Sequence, residues 1–152
     1  MEKLHQITYE HYSSLESMPA QDQELISQAL EATKRANASY SGFRVGAAAR
    51  LSNGEIISAA NTESEVFPSG LCAERSLLYF YQSNYYPEPI QTLAIVSDPS
   101  PRECYPCGAC RQVILDVENR QQSPIRIIMW GAGTASVVTS VAEAGEAAVS
   151  TV

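Results

Sequence analysis

Apolar side chains recur at 25, 26, 29, 30 and 36 within residues 22 to 38. That spacing marks one face of an α-helix, and Asp22 is its expected N-cap. The period then changes. Residues 44 to 51 and 55 to 60 flank Ser52-Asn53-Gly54 and predict two strands joined by an Asn-Gly hairpin turn. Beyond Pro68 and Gly70, residues 72 to 82 carry Leu77, Leu78 and Tyr81 at helical spacing, and Pro87 and Pro89 lie past their end. Residues 92 to 96 are a continuous apolar run bounded by Asp98-Pro99 and Pro101, the pattern of a buried strand. Residues 108 to 118 return to helical spacing, and residues 125 to 130 predict a further strand. The order helix, strand, strand, helix, strand, helix, strand predicts an α/β sandwich in which a hairpin is followed by parallel crossovers.

The chain has 152 residues and no internal repeat or low-complexity linker, so a single domain over 1–152 is expected. Residues 1–19 read as an N-terminal arm. Residues 142–152 are rich in small side chains with little periodicity, and poor order is expected there. No apolar run approaches the ~20 residues needed to span a bilayer, and the N-terminus lacks the apolar stretch of a secretory signal, so a cytoplasmic protein is expected.

Charge narrows the partners. The formal net charge is −7 and the ten Lys and Arg residues are scattered. Binding a phosphate backbone requires clustered positive charge, so a nucleic-acid substrate is disfavoured. Three of the four cysteines fall within seven positions, unlike a secreted disulfide framework, and metal ligation is the leading reading.

Cys72-Ala73-Glu74 and Pro106-Cys107-Gly108-Ala109-Cys110 form the cluster able to support a reaction. Cys107 and Cys110 are three apart, so both sulfurs can face one ion from the first turn of a helix. Cys72 and Cys107 each begin a predicted helix, where the N-terminal dipole favours thiolate. Three protein ligands leave tetrahedral zinc an open position for water, the mark of a catalytic site. Glu74 is placed to overhang that water, take its proton and deliver it to a ring nitrogen and a leaving ammonia. Three thiolates would leave the ion with a net charge of −1, and Arg75 can withdraw part of it by donating to the sulfurs. A Cys-x-x-Cys pair alone also fits structural zinc or redox chemistry. Cys104-x-x-Cys107-x-x-Cys110 with Cys72 resembles an iron–sulfur spacing, a reading that leaves Glu74 without a task and makes Cys104 more than a packed thiol. His5 and His11 lie in the arm and are expected at the surface.

These residues resemble the zinc-dependent cytidine deaminase family, over roughly residues 20 to 143. Cysteine rather than histidine as first ligand is similar to the small homotetrameric enzymes that act on free nucleosides. Tyr40-Ser41-Gly42-Phe43-Arg44-Val45-Gly46-Ala47-Ala48, Asn61-Thr62-Glu63 and Pro106 to Gln112 match further family segments in order. The resemblance implies a three-layer α/β/α sandwich with a mixed sheet and a Zn²⁺ cofactor. It implies hydrolysis of cytidine and deoxycytidine to uridine and deoxyuridine by zinc-bound hydroxide, as in pyrimidine salvage. It also implies that Phe43 packs on the nucleoside, that Asn61 and Glu63 bond the ribose 3′-hydroxyl, and that the Ala73 N–H holds the pyrimidine carbonyl. Two segments depart from the pattern: Phe67 stands where a Tyr is common, and Leu-Leu-Pro with its terminal aromatic is missing after Glu143. The alternatives are a deaminase of another aminopyrimidine nucleoside such as blasticidin S, whose sugar loop differs from Asn-x-Glu, and a non-catalytic zinc or iron–sulfur module.

Overall fold

A computed structural model of the chain describes residues 1–4 and 6–141. Its elements run β1 (Glu10–Tyr12), α1 (Ala20–Thr33), β2 (Arg44–Leu51), β3 (Ile56–Ala60), α2 (Ala73–Asn84), β4 (Ile90–Asp98), α3 (Gly108–Gln121), β5 (Arg126–Gly131) and β6 (Thr134–Val138). The strands form one six-stranded sheet in the order β1-β6-β5-β4-β2-β3. β4 and β5 pair in parallel and the other pairs are antiparallel, so the sheet is mixed.

Alternation along the strands sets the layers, because successive side chains point to opposite faces. Ala47, Ala49, Leu93, Ile95, Ile127 and Met129 face one way and share a core with Leu77, Leu78 and Tyr81 of α2 and Ile114 and Val117 of α3. Ala48, Ala94, Val96 and Ile128 face the other way and pack with Leu25, Ile26 and Ala29 of α1. The result is the expected α/β/α sandwich, with α2 and α3 on one face and α1 on the other. Small side chains in β2 bring α1 close. A Cβ at Gly46 would stand 2.0 Å from the Ala29 carbonyl oxygen, so glycine there is a packing requirement.

The boundaries of α1 differ from those the sequence predicts. The helix ends at Thr33 rather than running to 38, and its N-cap is Pro19, with no side-chain cap bond. Asp22 instead sits in the first turn, where its two carboxylate oxygens accept from Arg126 Nη1 and Nη2 at 2.7 and 2.8 Å. An acid in that turn also complements the helix dipole. Past Thr33 the backbone turns into the site: Asn37 N–H donates to the Asn61 carbonyl.

Two strands escape the sequence pattern. β1 is three residues long and largely exposed, and it pairs with β6 through Glu10, His11 and Tyr12. β6 follows β5 through Ala132 and Gly133, both at positive φ (53° and 80°). His5 and the segment 142–152 lie outside the described residues.

Candidate active site

Helix starts build the site. Cys72 is the N-cap of α2, and its Sγ accepts from the Arg75 backbone N–H at 3.4 Å, so the sulfur occupies the place of a capping oxygen. Cys107 is the N-cap of α3 and Cys110 lies in that helix's first turn. The parallel crossover places these two helix starts side by side, and the sulfurs converge. Cys72 Sγ is 2.8 Å from Cys110 Sγ, and Cys107 Sγ is 3.5 Å from Cys110 Sγ. Ligand atoms of Cys72, Glu74 and Cys110 all lie within 4.8 Å of one another.

This donor set fits zinc. Zn–S bonds of about 2.3 Å in tetrahedral geometry separate sulfurs by roughly 3.8 Å, close to the Cys107–Cys110 spacing and wider than the Cys72–Cys110 spacing. The Cys110 thiol donating to Cys72, followed by the backbone and guanidinium of Arg75, holds Cys72 down to about 5. The same shared proton pushes Cys110 up. Cys72 is thus favoured as the thiolate, the form in which a sulfur ligates a metal, while Cys110 would give up the shared proton on binding one.

Glu74 lies in the first turn of α2 and is 4% exposed. Burial, followed by the charge of Cys72, raises its carboxyl to about 7. A group that exchanges protons near neutral pH suits general acid–base work. Arg75 Nε donates to Cys72 Sγ at 3.1 Å, and Cys110 also stabilises its charge. Cys104 and Cys107 both lie outside that mutual group, but Cys107 adjoins it through Cys110 Sγ, whereas burial pushes the Cys104 thiol up to about 12.

Beside the sulfurs opens a cleft of about 460 Å³ lined by Asn61, Glu63, Phe67, Leu71, Cys72 and Arg75 among others, within the range usual for small-molecule sites. The loop before β2 forms its rim, tied to the segment after β3. Asn61 Oδ1 accepts from Val45 N–H at 2.8 Å and its Nδ2 donates to the Phe43 carbonyl at 3.0 Å. Glu63 Oε1 accepts from the backbone N–H groups of Tyr40 and Ser41, and Oε2 accepts from the Ser41 hydroxyl. Those donors hold the Glu63 carboxyl below its usual range, Ser41 first.

The structure therefore brings Cys72, Cys107, Cys110, Glu74 and Arg75 together and sets Asn61 and Glu63 on the adjoining cleft. Phe43 is 38% exposed on the rim loop and does not line the cleft. Ala73 is fully buried as the first residue of α2, so its N–H is one of the helix donors without an intrahelical acceptor. Phe67, 80% exposed, stands at the mouth. Ser41 did not stand out in the sequence as a site residue, although a Ser beside a rim glycine is a common loop-ordering signal.

Residues 19–122 match the family model described as the cytidine and deoxycytidylate deaminase zinc-binding region. A cytidine deaminase of Halalkalibacterium halodurans is 38% identical over 95 residues, 62% of this chain and 70% of that protein. A probable cytidine deaminase of Dictyostelium discoideum is 36% identical over 57% of this chain and 58% of that protein. Among solved structures, the cytidine deaminase of Burkholderia pseudomallei superposes with a TM-score of 0.70 at 29% identity, covering 80% of this chain and 93% of that one.

Proposed function

The chain belongs to the family defined by the cytidine and deoxycytidylate deaminase zinc-binding region, and from that premise we propose that Cys72, Cys107 and Cys110 hold zinc while Glu74 moves the protons of the reaction. The protein is a cytidine deaminase, converting cytidine and water to uridine and ammonia. The observation that carries the assignment of roles is the grouping of the Cys72 and Cys110 sulfurs with the buried Glu74 carboxyl, Cys107 lying against Cys110, at two helix starts beside the cleft.

Bound there, zinc supplies Lewis acidity and makes a nucleophile available from water at neutral pH. The rest falls to side chains of this chain. Glu74, poised near neutrality, would pass one proton of the attacking water to the ring nitrogen N3, which keeps it, and then carry the second, from the hydroxyl formed at C4, to the amino group, which departs as ammonia. Its buried position keeps bulk water from competing for that proton. Arg75 draws negative charge from Cys72. The Ala73 N–H holds the pyrimidine carbonyl, Asn61 and Glu63 hold the sugar hydroxyl, and Phe43, on the rim loop, packs on the nucleoside. Deoxycytidine is a second substrate, since the proposed sugar contact is at the 3′ position.

The working form is a homotetramer in the cytoplasm. Val66 and Phe67, 62% and 80% exposed beside the cleft, are large apolar side chains that a neighbouring subunit would cover. A reducing compartment would keep the three thiols available as ligands, and among the described residues no helix is long and apolar enough to cross a membrane. The test is a parallel assay of ultraviolet absorbance change and ammonia release with cytidine, deoxycytidine, cytosine, adenosine and blasticidin S. Turnover of the two cytosine nucleosides alone is expected, and turnover of blasticidin S in their place would reassign the substrate.

A further inference from the structure

We propose that Glu103 is a positioning residue that clamps the loop delivering Cys107 to the metal, an inference resting on the reading of Cys107 as a ligand. Cys107 is exposed and its side chain makes no capping bond, so α3 alone does not fix it. Cys72, by contrast, is held by the backbone N–H and Nε of Arg75. The position of Cys107 depends on the loop that precedes it.

That loop is pressed onto the β5–β6 hairpin. Cys104 N–H donates to the Trp130 carbonyl at 3.1 Å and Ala132 N–H to the Ser100 carbonyl at 3.2 Å. A Cβ at Gly131 would stand 1.8 Å from the Arg102 carbonyl oxygen, so the two backbones touch where only glycine fits. At the centre of this contact Glu103 is 8% exposed. Its Oε1 accepts from Ser136 Oγ at 2.6 Å and Tyr105 Oη at 3.0 Å, and its Oε2 from Thr134 Oγ1 at 2.7 Å. His11 Nδ1 of β1 stands 3.7 Å from Oε2.

A carboxylate accepts hydrogen bonds and donates none, and here it meets three hydroxyls, two of them on a strand more than 30 residues away in sequence. Only Cys104, Tyr105 and Pro106 separate Glu103 from Cys107, and proline fixes one backbone angle of that link. The clamp on β6 is therefore transmitted to the start of α3. None of these contacts touches the cleft, so Glu103 acts through Cys107 and not on substrate.

The test compares metal release to excess chelator, and the Co²⁺–thiolate charge-transfer band, in full-length wild type and variants. Glu103→Ala should release metal about tenfold or more faster, as loss of supporting contacts around metal sites does, with a weakened band. Glu103→Gln keeps one acceptor oxygen but turns the other into a donor facing a hydroxyl, and should release metal at a rate between wild type and Glu103→Ala. Arg126→Met, which breaks the ion pair to Asp22 in the α1 layer, should lower Tm and leave release unchanged. A Glu103→Ala protein with lowered Tm but wild-type release would overturn the clamp. Should that variant fail to fold, Thr134→Val and Ser136→Ala each remove one donor; faster release supports the proposal and unchanged release in both overturns it. Absence of a Co²⁺–thiolate band in wild type would instead overturn the ligand reading, and the clamp with it.

Discussion

Arg75 reaches the Cys72 sulfur twice, from its backbone N–H at 3.4 Å and from Nε at 3.1 Å. Only the second contact is removable by substitution. In metal-free protein, Arg75→Ala should move the titration of Cys72 upward from about 5, because a cation that favours the thiolate is lost. Zinc uptake should then require a higher pH, since the ligands must deprotonate to bind. Ultraviolet thiolate absorbance against pH is the measurement, and an unchanged curve would remove Arg75 from the tuning role.

Glu74→Gln should retain zinc and lose about 10² to 10⁴ in turnover, the usual worth of a positioned proton carrier. The same change has a stability signature. The folded carboxyl titrates near 7 against an ordinary 4.5, so between those values the folded state holds more protons than the unfolded chain, and stability falls as pH rises. Metal-free Glu74→Gln should thus melt higher than metal-free wild type at pH 8, by about 3 kcal/mol at most. Thermal melts at pH 5 and 8 check this, with the difference largest at the higher pH.

Cys72→Ala, Cys107→Ala and Cys110→Ala should each lose zinc and activity together, whereas Cys104→Ala should keep both. Burial pushes the Cys104 thiol up, which disfavours the thiolate that a metal needs. Metal analysis of the four purified variants decides it, and loss of the ion from Cys104→Ala would restore a four-cysteine site.

Ser41→Ala removes the hydroxyl that Glu63 accepts from on the cleft rim. KM for cytidine should rise several-fold while kcat and zinc content hold, because the bond orients a proposed sugar contact and not a proposed metal ligand. Steady-state kinetics with metal analysis would expose a failure as unchanged KM or as lost zinc.

Sedimentation at assay concentration should give a tetramer, and Phe67→Asp should shift it toward smaller species by placing a charge in a contact meant to be apolar. An active monomer would contradict the assembly.

Much of the fold was legible because helices and strands here carry clear periods. Leu77, Leu78 and Tyr81 announced α2, and the run from Thr92 to Val96 announced β4. The hairpin of β2 and β3 was also legible, although only Gly54 of the Asn-Gly pair takes positive φ. β6 was missed because Ala132 occupies a left-handed position usually filled by Asn or Gly, so the turn lacked its signal. β1 is too short and exposed for alternation to register. Spacing within each helix start paired Cys107 with Cys110 and Cys72 with Glu74; that the two starts adjoin comes from the sheet order and not from either local pattern. Glu103 was not legible, because two of its three hydroxyl partners lie on the strand that went unread.

Asn61 carries on the pairing of β2 with β3 past Ala60: its backbone N–H bonds the Val45 carbonyl, and its side chain bonds Val45 N–H and the Phe43 carbonyl. Backbone order and proposed sugar recognition therefore reside in one amide, which limits how this enzyme can evolve. Selection for a different sugar cannot replace Asn61 without also releasing the rim. Drift in nucleoside preference is channelled instead to side chains that face the cleft without holding main chain, of which Leu71 is one.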